Sequence, residues 1–122
     1  MDEHPTVMVV EDSDHVRDVL TLFLEDEGYK VVPVENGEDA LLMGKRLLPA
    51  LITLDLGLPH LDGREILSRL RSDPETAGIP VLIVSAQLTT ELEAWTNQRV
   101  AYVGKPFEFT EIQRKVEDLL SG

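Results

Sequence analysis

Short apolar runs alternate along this chain with stretches of helical period. Val7-Met8-Val9-Val10, Ala50-Leu51-Ile52-Thr53-Leu54, Val81-Leu82-Ile83-Val84 and Ala101-Tyr102-Val103-Gly104 have the length and content of strands covered on both faces. Lys30 to Val34 is a fifth strand candidate. Between the runs, Val16, Val19, Leu20, Phe23 and Leu24 recur at helix spacing, with Ser13 as N-cap and Gly28 as stop. Ala40, Leu41, Gly44, Leu47 and Leu48 mark a second helix, bounded by Asn36-Gly37 and Pro49. Ile66, Leu67 and Leu70 mark a third, closed by Asp73-Pro74. Leu88, Leu92 and Trp95 mark a fourth, with Trp95 on its inward stripe. Phe109, Ile112, Val116, Leu119 and Leu120 mark a fifth.

Strands that alternate with helices imply a parallel sheet covered on both faces, an α/β domain of the doubly wound (βα)5 kind. No linker or repeat interrupts the pattern, so residues 1–122 are expected to form a single domain with no effector domain attached. The flavodoxin-like strand order 2-1-3-4-5 sets strands 1, 3, 4 and 5 side by side. Those four strands end in polar residues: Glu11-Asp12, Asp55, Ser85 and Lys105-Pro106. In an open parallel sheet the carboxyl ends share one rim, where ligands bind.

Three carboxylates at one rim repel one another, and a divalent cation with the Lys105 ammonium would balance them. Mg2+ suits a few carboxylate oxygens combined with phosphate oxygens. Asp55 stands singly at the end of a central strand and is the expected nucleophile in a phosphoryl transfer. Ser85 supplies a hydroxyl for a phosphoryl oxygen. Each residue also has a plainer role. Glu11-Asp12 could cap a helix, Ser85 could be a loop serine, Lys105 a solvated lysine and Tyr102 a core aromatic. Asp62-Gly63 reads as a turn or helix start, and His4, His15 and His60 lack metal spacing.

The pieces Val-Val-Glu11-Asp12, Asp55-Leu-Gly-Leu-Pro59-His-Leu-Asp62-Gly63, Ile79-Pro80-Val-Leu-Ile-Val-Ser85-Ala86 and Tyr102-Val-Gly-Lys105-Pro106-Phe107 together resemble the receiver domain of two-component response regulators. The resemblance runs almost end to end. It implies that Asp55 is phosphorylated by a histidine kinase or histidine phosphotransfer protein. It implies that Asp12 binds Mg2+ directly, that Glu11 acts mainly through water, and that the Gly57 carbonyl is a further ligand. Ser85 and Lys105 would contact the phosphoryl group, and Tyr102 would be an aromatic switch coupled to Ser85. The Lys105-Pro106 peptide is expected to be cis. The fourth helix, fifth strand and fifth helix would form the surface that a downstream effector reads. The protein would then be a phosphorylation switch with slow self-hydrolysis rather than a turnover enzyme. Three positions depart from the common pattern: Gln98-Arg99-Val100-Ala101 before the aromatic, the small Gly57, and serine in place of threonine at 85.

Two other readings stand beside this one. Asp12-Ser13-Asp14-His15-Val16 also matches the first motif of haloacid-dehalogenase-type phosphatases, with Asp12 as nucleophile. That reading leaves Asp55 idle and lacks a late acidic pair. Alternatively, the fold is an interaction module whose phosphorylation is vestigial. Composition narrows the field further. A net charge of -12 argues against direct nucleic-acid contact. Cysteine is absent, which excludes thiol chemistry and fits a reducing compartment. The apolar stretch from Leu47 to Leu54 is interrupted by Pro49 and too short to span a membrane. A cytoplasmic location is expected.

Overall fold

A computed structural model describes residues 4–87 and 99–122. The strands are β1 (Thr6–Val10), β2 (Lys30–Val34), β3 (Leu51–Leu54), β4 (Val81–Ser85) and β5 (Val100–Gly104). The helices are α1 (Asp14–Asp26), α2 (Gly37–Leu47), α3 (Gly63–Ser72) and α4 (Phe109–Ser121). Thus α4 is the fifth helix expected from the sequence. The helix expected around Leu88, Leu92 and Trp95, and Gln98 after it, lie outside the described residues.

The sheet has the order β2-β1-β3-β4-β5, with every pairing parallel. Its side-chain alternation explains the unbroken apolar runs. Met8, Val10, Ile52, Leu54, Val81 and Ile83 point to one face and pack with Ile66, Leu67 and Leu70 of α3 and Ala40 of α2. Val7, Val9, Leu51, Leu82, Val84 and Val103 point to the other, against Leu20 and Leu24 of α1 and Ile112 and Val116 of α4. Both faces are dry, so no polar alternation survives in the central strands. The edge strand β2 is less buried and tolerates Pro33, whose missing N–H matters least there.

The helix starts follow from local chemistry. Ser13 Oγ accepts the Val16 N–H, Asn36 Oδ1 the Asp39 N–H, and Asp62 Oδ1 the Arg64 N–H. Gly28, at φ 99°, supplies the left-handed turn after α1. Gly63 has a different reason to be glycine. A Cβ there would lie 2.6 Å from the Asp55 carbonyl oxygen and 2.7 Å from Leu56 Cα. The start of α3 is therefore pressed directly against the backbone that carries Asp55. Among the described residues no helix is long and apolar enough to cross a membrane.

Candidate functional site

The carboxyl ends of β1, β3, β4 and β5, and the residues that follow them, carry the polar groups expected at the rim. Asp55 follows β3 immediately, and its N–H bonds the Val10 carbonyl at 3.2 Å. This contact ties the β3 exit to the end of β1, next to Glu11. Ligand oxygens of Glu11, Asp12 and Asp55 all lie within 4.8 Å of one another. Glu11 and Asp55 are buried, whereas Asp12 is exposed. Lys105 Nζ lies 2.6 Å from Glu11 Oε1 and 3.1 Å from Asp55 Oδ2. The ammonium therefore bridges a residue near the start of the chain and one near its middle.

The two acids of the β1 exit are not equivalent. Both oxygens of Glu11 have protein donors, since Oε1 accepts from Lys105 and Oε2 from the Ser13 N–H at 3.1 Å. Asp12 faces solvent instead. Burial pushes the Glu11 carboxyl above its ordinary range; the Lys105 and Ser13 hydrogen bonds oppose this, and the Asp55 charge adds to it. Lys105 behaves differently. Burial works against its charge, but the hydrogen bond to Glu11 and the charges of Asp55 and Glu11 outweigh it and hold the ammonium above its ordinary value. Both partners shift upward because burial dominates at Glu11 and the surrounding acids dominate at Lys105. Lys105 is firmly charged, and Glu11 is the group whose charge the site penalises.

Asp55 is fixed from two sides. Lys105 holds Oδ2, and the Gly57 N–H donates to Oδ1 at 3.0 Å. Ser85 is fully buried at the end of β4. Its Oγ accepts the Gln87 N–H at 3.2 Å, and its carbonyl accepts the Lys105 N–H at 3.0 Å. The Tyr102 hydroxyl lies 3.1 Å from the Ser85 carbonyl oxygen and 3.0 Å from that of Gln87. Tyr102 thus meets Ser85 through the backbone. The Lys105-Pro106 peptide is cis.

Asp62 caps α3, as its sequence position suggested, and His4, His15 and His60 are exposed. Asp14, the second acid of the phosphatase-like motif, has a side chain 84% exposed and paired with Arg17. Sequence reasoning did not find Arg64, which contacts Gln87 across the rim. Twenty-three positions separate the two, and no local pattern links them. A cleft of about 500 Å³ lined by Arg17, Val32, Met43 and their neighbours opens elsewhere, and none of Glu11, Asp55, Ser85 or Lys105 lines it.

The model of the response regulator receiver domain matches residues 7–117. This chain belongs to that family. The DNA-binding dual master transcriptional regulator RpaA of a Synechocystis species is 34% identical over 118 residues, 95% of this chain and 49% of the relative. The chain therefore spans about half the length of that relative. A putative response regulator from Chloroflexus aurantiacus has 32% identity and a TM-score of 0.89, covering 98% of this chain and 100% of that one. The receiver domain of the sensor histidine kinase PA1611 from Pseudomonas aeruginosa has 26% identity and a TM-score of 0.87, covering 98% and 99%. That structure is described with a magnesium ion coordinated in its active site cleft. Receiver domains are signalling switches of two-component systems, and the site described above belongs to a member of that family.

Proposed function

We propose that Asp55 accepts a phosphoryl group from the phosphohistidine of a histidine kinase or histidine phosphotransfer protein, with Mg2+ bound beside it. The observation that carries this is the grouping of three carboxylates within 4.8 Å around a single lysine. One ammonium does not neutralise three acids, and an all-oxygen donor set suits a hard dication. Asp12, with its open carboxylate, and Asp55 are the direct protein ligands, together with the Gly57 carbonyl. Glu11, whose oxygens already have protein donors, acts through water. When bound, the ion supplies positive charge for the phosphoryl oxygens.

The rest is the work of the chain itself. An Asp55 carboxylate oxygen attacks phosphorus, and the P–N bond to imidazole breaks. The imidazole leaves with the electron pair and takes up a proton, so a neutral histidine and an acyl phosphate result. Lys105 already donates to Asp55 Oδ2 and is placed to donate to a phosphoryl oxygen. Ser85 Oγ, which accepts from Gln87, keeps its own proton to donate. If Ser85 shifts toward the phosphoryl group, its carbonyl must move against the Tyr102 hydroxyl. That links Asp55 to β5 and to α4 beside it. An effector reads the change there as a shift between two conformations. Hydrolysis then returns carboxylate and inorganic phosphate, so the protein acts as a self-resetting switch rather than a turnover enzyme. The net charge of -12 argues that this chain does not itself grip nucleic acid. We place it in the cytoplasm, in line with a sequence free of cysteine.

The test is incubation with acetyl phosphate and Mg2+ followed by intact mass and peptide mapping. One phosphoryl group on Asp55, absent from Asp55→Asn, is expected. A label on Asp12 would instead favour the phosphatase reading. An unchanged mass would leave an interaction module with vestigial phosphorylation.

A further inference from the structure

Gln87 is held at three points. Its N–H donates to Ser85 Oγ, and its carbonyl accepts from the Tyr102 hydroxyl at 3.0 Å. Its side-chain Oε1 accepts from Arg64 Nη1 at 3.3 Å. Its Nε2 faces the open side of Gly57. A Cβ built on Gly57 would lie 3.1 Å from that nitrogen and 3.7 Å from Asp55 Oδ1. One methyl-sized space therefore separates the Gln87 amide from the acceptor carboxylate.

Arg64 decides which end of the amide faces that space. A guanidinium only donates hydrogen bonds, so the atom turned toward Arg64 must be the amide oxygen. The NH2 group is then left pointing at Gly57 and Asp55. Arg64 is itself oriented, since Nη1 lies 3.3–3.4 Å from both carboxylate oxygens of Asp62, the N-cap of α3. The α3 start is pressed onto the Asp55 backbone through Gly63. The Asp62–Arg64 pair therefore moves with the acceptor.

We propose that Arg64 is a positioning residue that keeps the Gln87 amide donor-side toward Asp55 and so prolongs the life of its acyl phosphate. This rests on Asp55 being the phosphoryl acceptor. The chemistry follows from the donor pattern. Hydrolysis needs a water whose lone pair faces phosphorus and whose proton has an acceptor. An NH2 group cannot accept that proton; it donates to a phosphoryl oxygen or to the lone pair of the water. An amide turned round would present its carbonyl oxygen and orient the attacking water. The balance is otherwise that of ordinary hydrolysis. Water adds to phosphorus, the P–O bond to Asp55 breaks, and the carboxylate and inorganic phosphate leave.

The experiment uses the chain phosphorylated with acetyl phosphate and Mg2+, freed of donor, and followed by intact mass. Arg64→Ala should shorten the phosphoryl half-life roughly fivefold, the scale of one modest hydrogen bond. Arg64→Lys, which still donates to Oε1, should restore most of the lifetime. In a Gln87→Met background, Arg64→Ala should have no further effect. Mg2+ affinity should be unchanged by Arg64→Ala. An Asp55 adduct whose decay ignores Arg64, or a loss equal in the Gln87→Met background, would overturn the inference while leaving Asp55 as acceptor. No adduct on wild-type Asp55 would overturn the acceptor assignment and this inference together.

Discussion

The two ends of the sheet treat charge in opposite ways. At the amino ends of the strands, cations are used to satisfy backbone. Arg71 Nη1 donates to the Ile79 carbonyl at 2.8 Å before β4, and Thr76 Oγ1 donates to the Leu70 carbonyl at 2.7 Å. Arg99 Nη2 donates to the Leu119 carbonyl at 2.8 Å, near the end of α4, and its Nη1 to the Gly78 carbonyl at 3.3 Å. A cation at a helix C-terminus also complements the helix dipole. At the carboxyl ends, acids face acids. Glu11 and Asp55 are buried together beside Asp12, and one ammonium serves the two buried ones. The first end turns its cations onto backbone carbonyls. The second keeps an electrostatic conflict that a cation and a phosphoryl group would resolve. Groups held against their own preference, gathered at a ligand-binding rim, are the mark of a functional site.

Breaking the counter-charge should have the largest effect. Lys105→Met leaves Glu11, whose side chain is 2% exposed, without its cation. A loss of about 3 kcal/mol in urea unfolding at neutral pH is expected, the scale of a broken buried pair. The loss should shrink in acid, where Glu11 takes up a proton. An equal loss at all pH values would mean that Lys105 acts only by packing.

A cut at the other end should cost less and leave the rim alone. Arg71→Met removes the donor to the Ile79 carbonyl and should cost about 1 kcal/mol. Burial, and after it the Arg99 charge, pull the Arg71 guanidinium below its ordinary value, so losing its charge offsets part of that cost. Mg2+ binding, measured by calorimetry, should not change. A change would show that the two ends are coupled.

Removing one acid should have the smallest effect on the fold, with the opposite sign. The Glu11 carboxyl is raised above 4.5, so the folded chain holds a proton that the unfolded chain has released. Stability contributed by this group is therefore lost as pH rises from 4.5 through its folded value. Glu11→Gln should stabilise the metal-free protein above that window, by less than about 1 kcal/mol, and should weaken Mg2+ binding. Below the window wild type and variant should converge. Lys105 follows the same direction in a higher window: its raised value stabilises the fold below 10.5, and that contribution is lost as pH rises through the folded value. Equal stability of wild type and Glu11→Gln at every pH would show that the rim holds no penalty.

Much of this contrast could be read from the chain. Runs such as Val81 to Val84 announce strands because both faces of the sheet are dry, and local caps mark the helix starts at Ser13, Asn36 and Asp62. Parallel topology then gathers Glu11, Asp12, Asp55, Ser85 and Lys105 at one rim, as the periodicity led one to expect. What stayed hidden is non-local and geometric. Nothing in the sequence says that Lys105 bridges Glu11 and Asp55, that Gly63 lies against the Asp55 carbonyl, or that Arg64 meets Gln87. The carbonyl bonds of Arg71 and Arg99 were equally invisible, because a long cation in a last helical turn or just before a strand looks like surface. The helix expected around Leu88, Leu92 and Trp95 lies outside the described residues.

The most direct measurement is an amide NMR titration of the metal-free protein with Mg2+. The rim should respond and the opposite end should not. Saturable shifts are expected at Asp12, Asp55 and Gly57, with little change at Arg71, Thr76 and Arg99, and Asp12→Ala should weaken the response sharply. A spectrum indifferent to Mg2+, or shifts spread over exposed acids with no saturation, would contradict the claim that these carboxylates form one cation-binding, phosphoryl-accepting site.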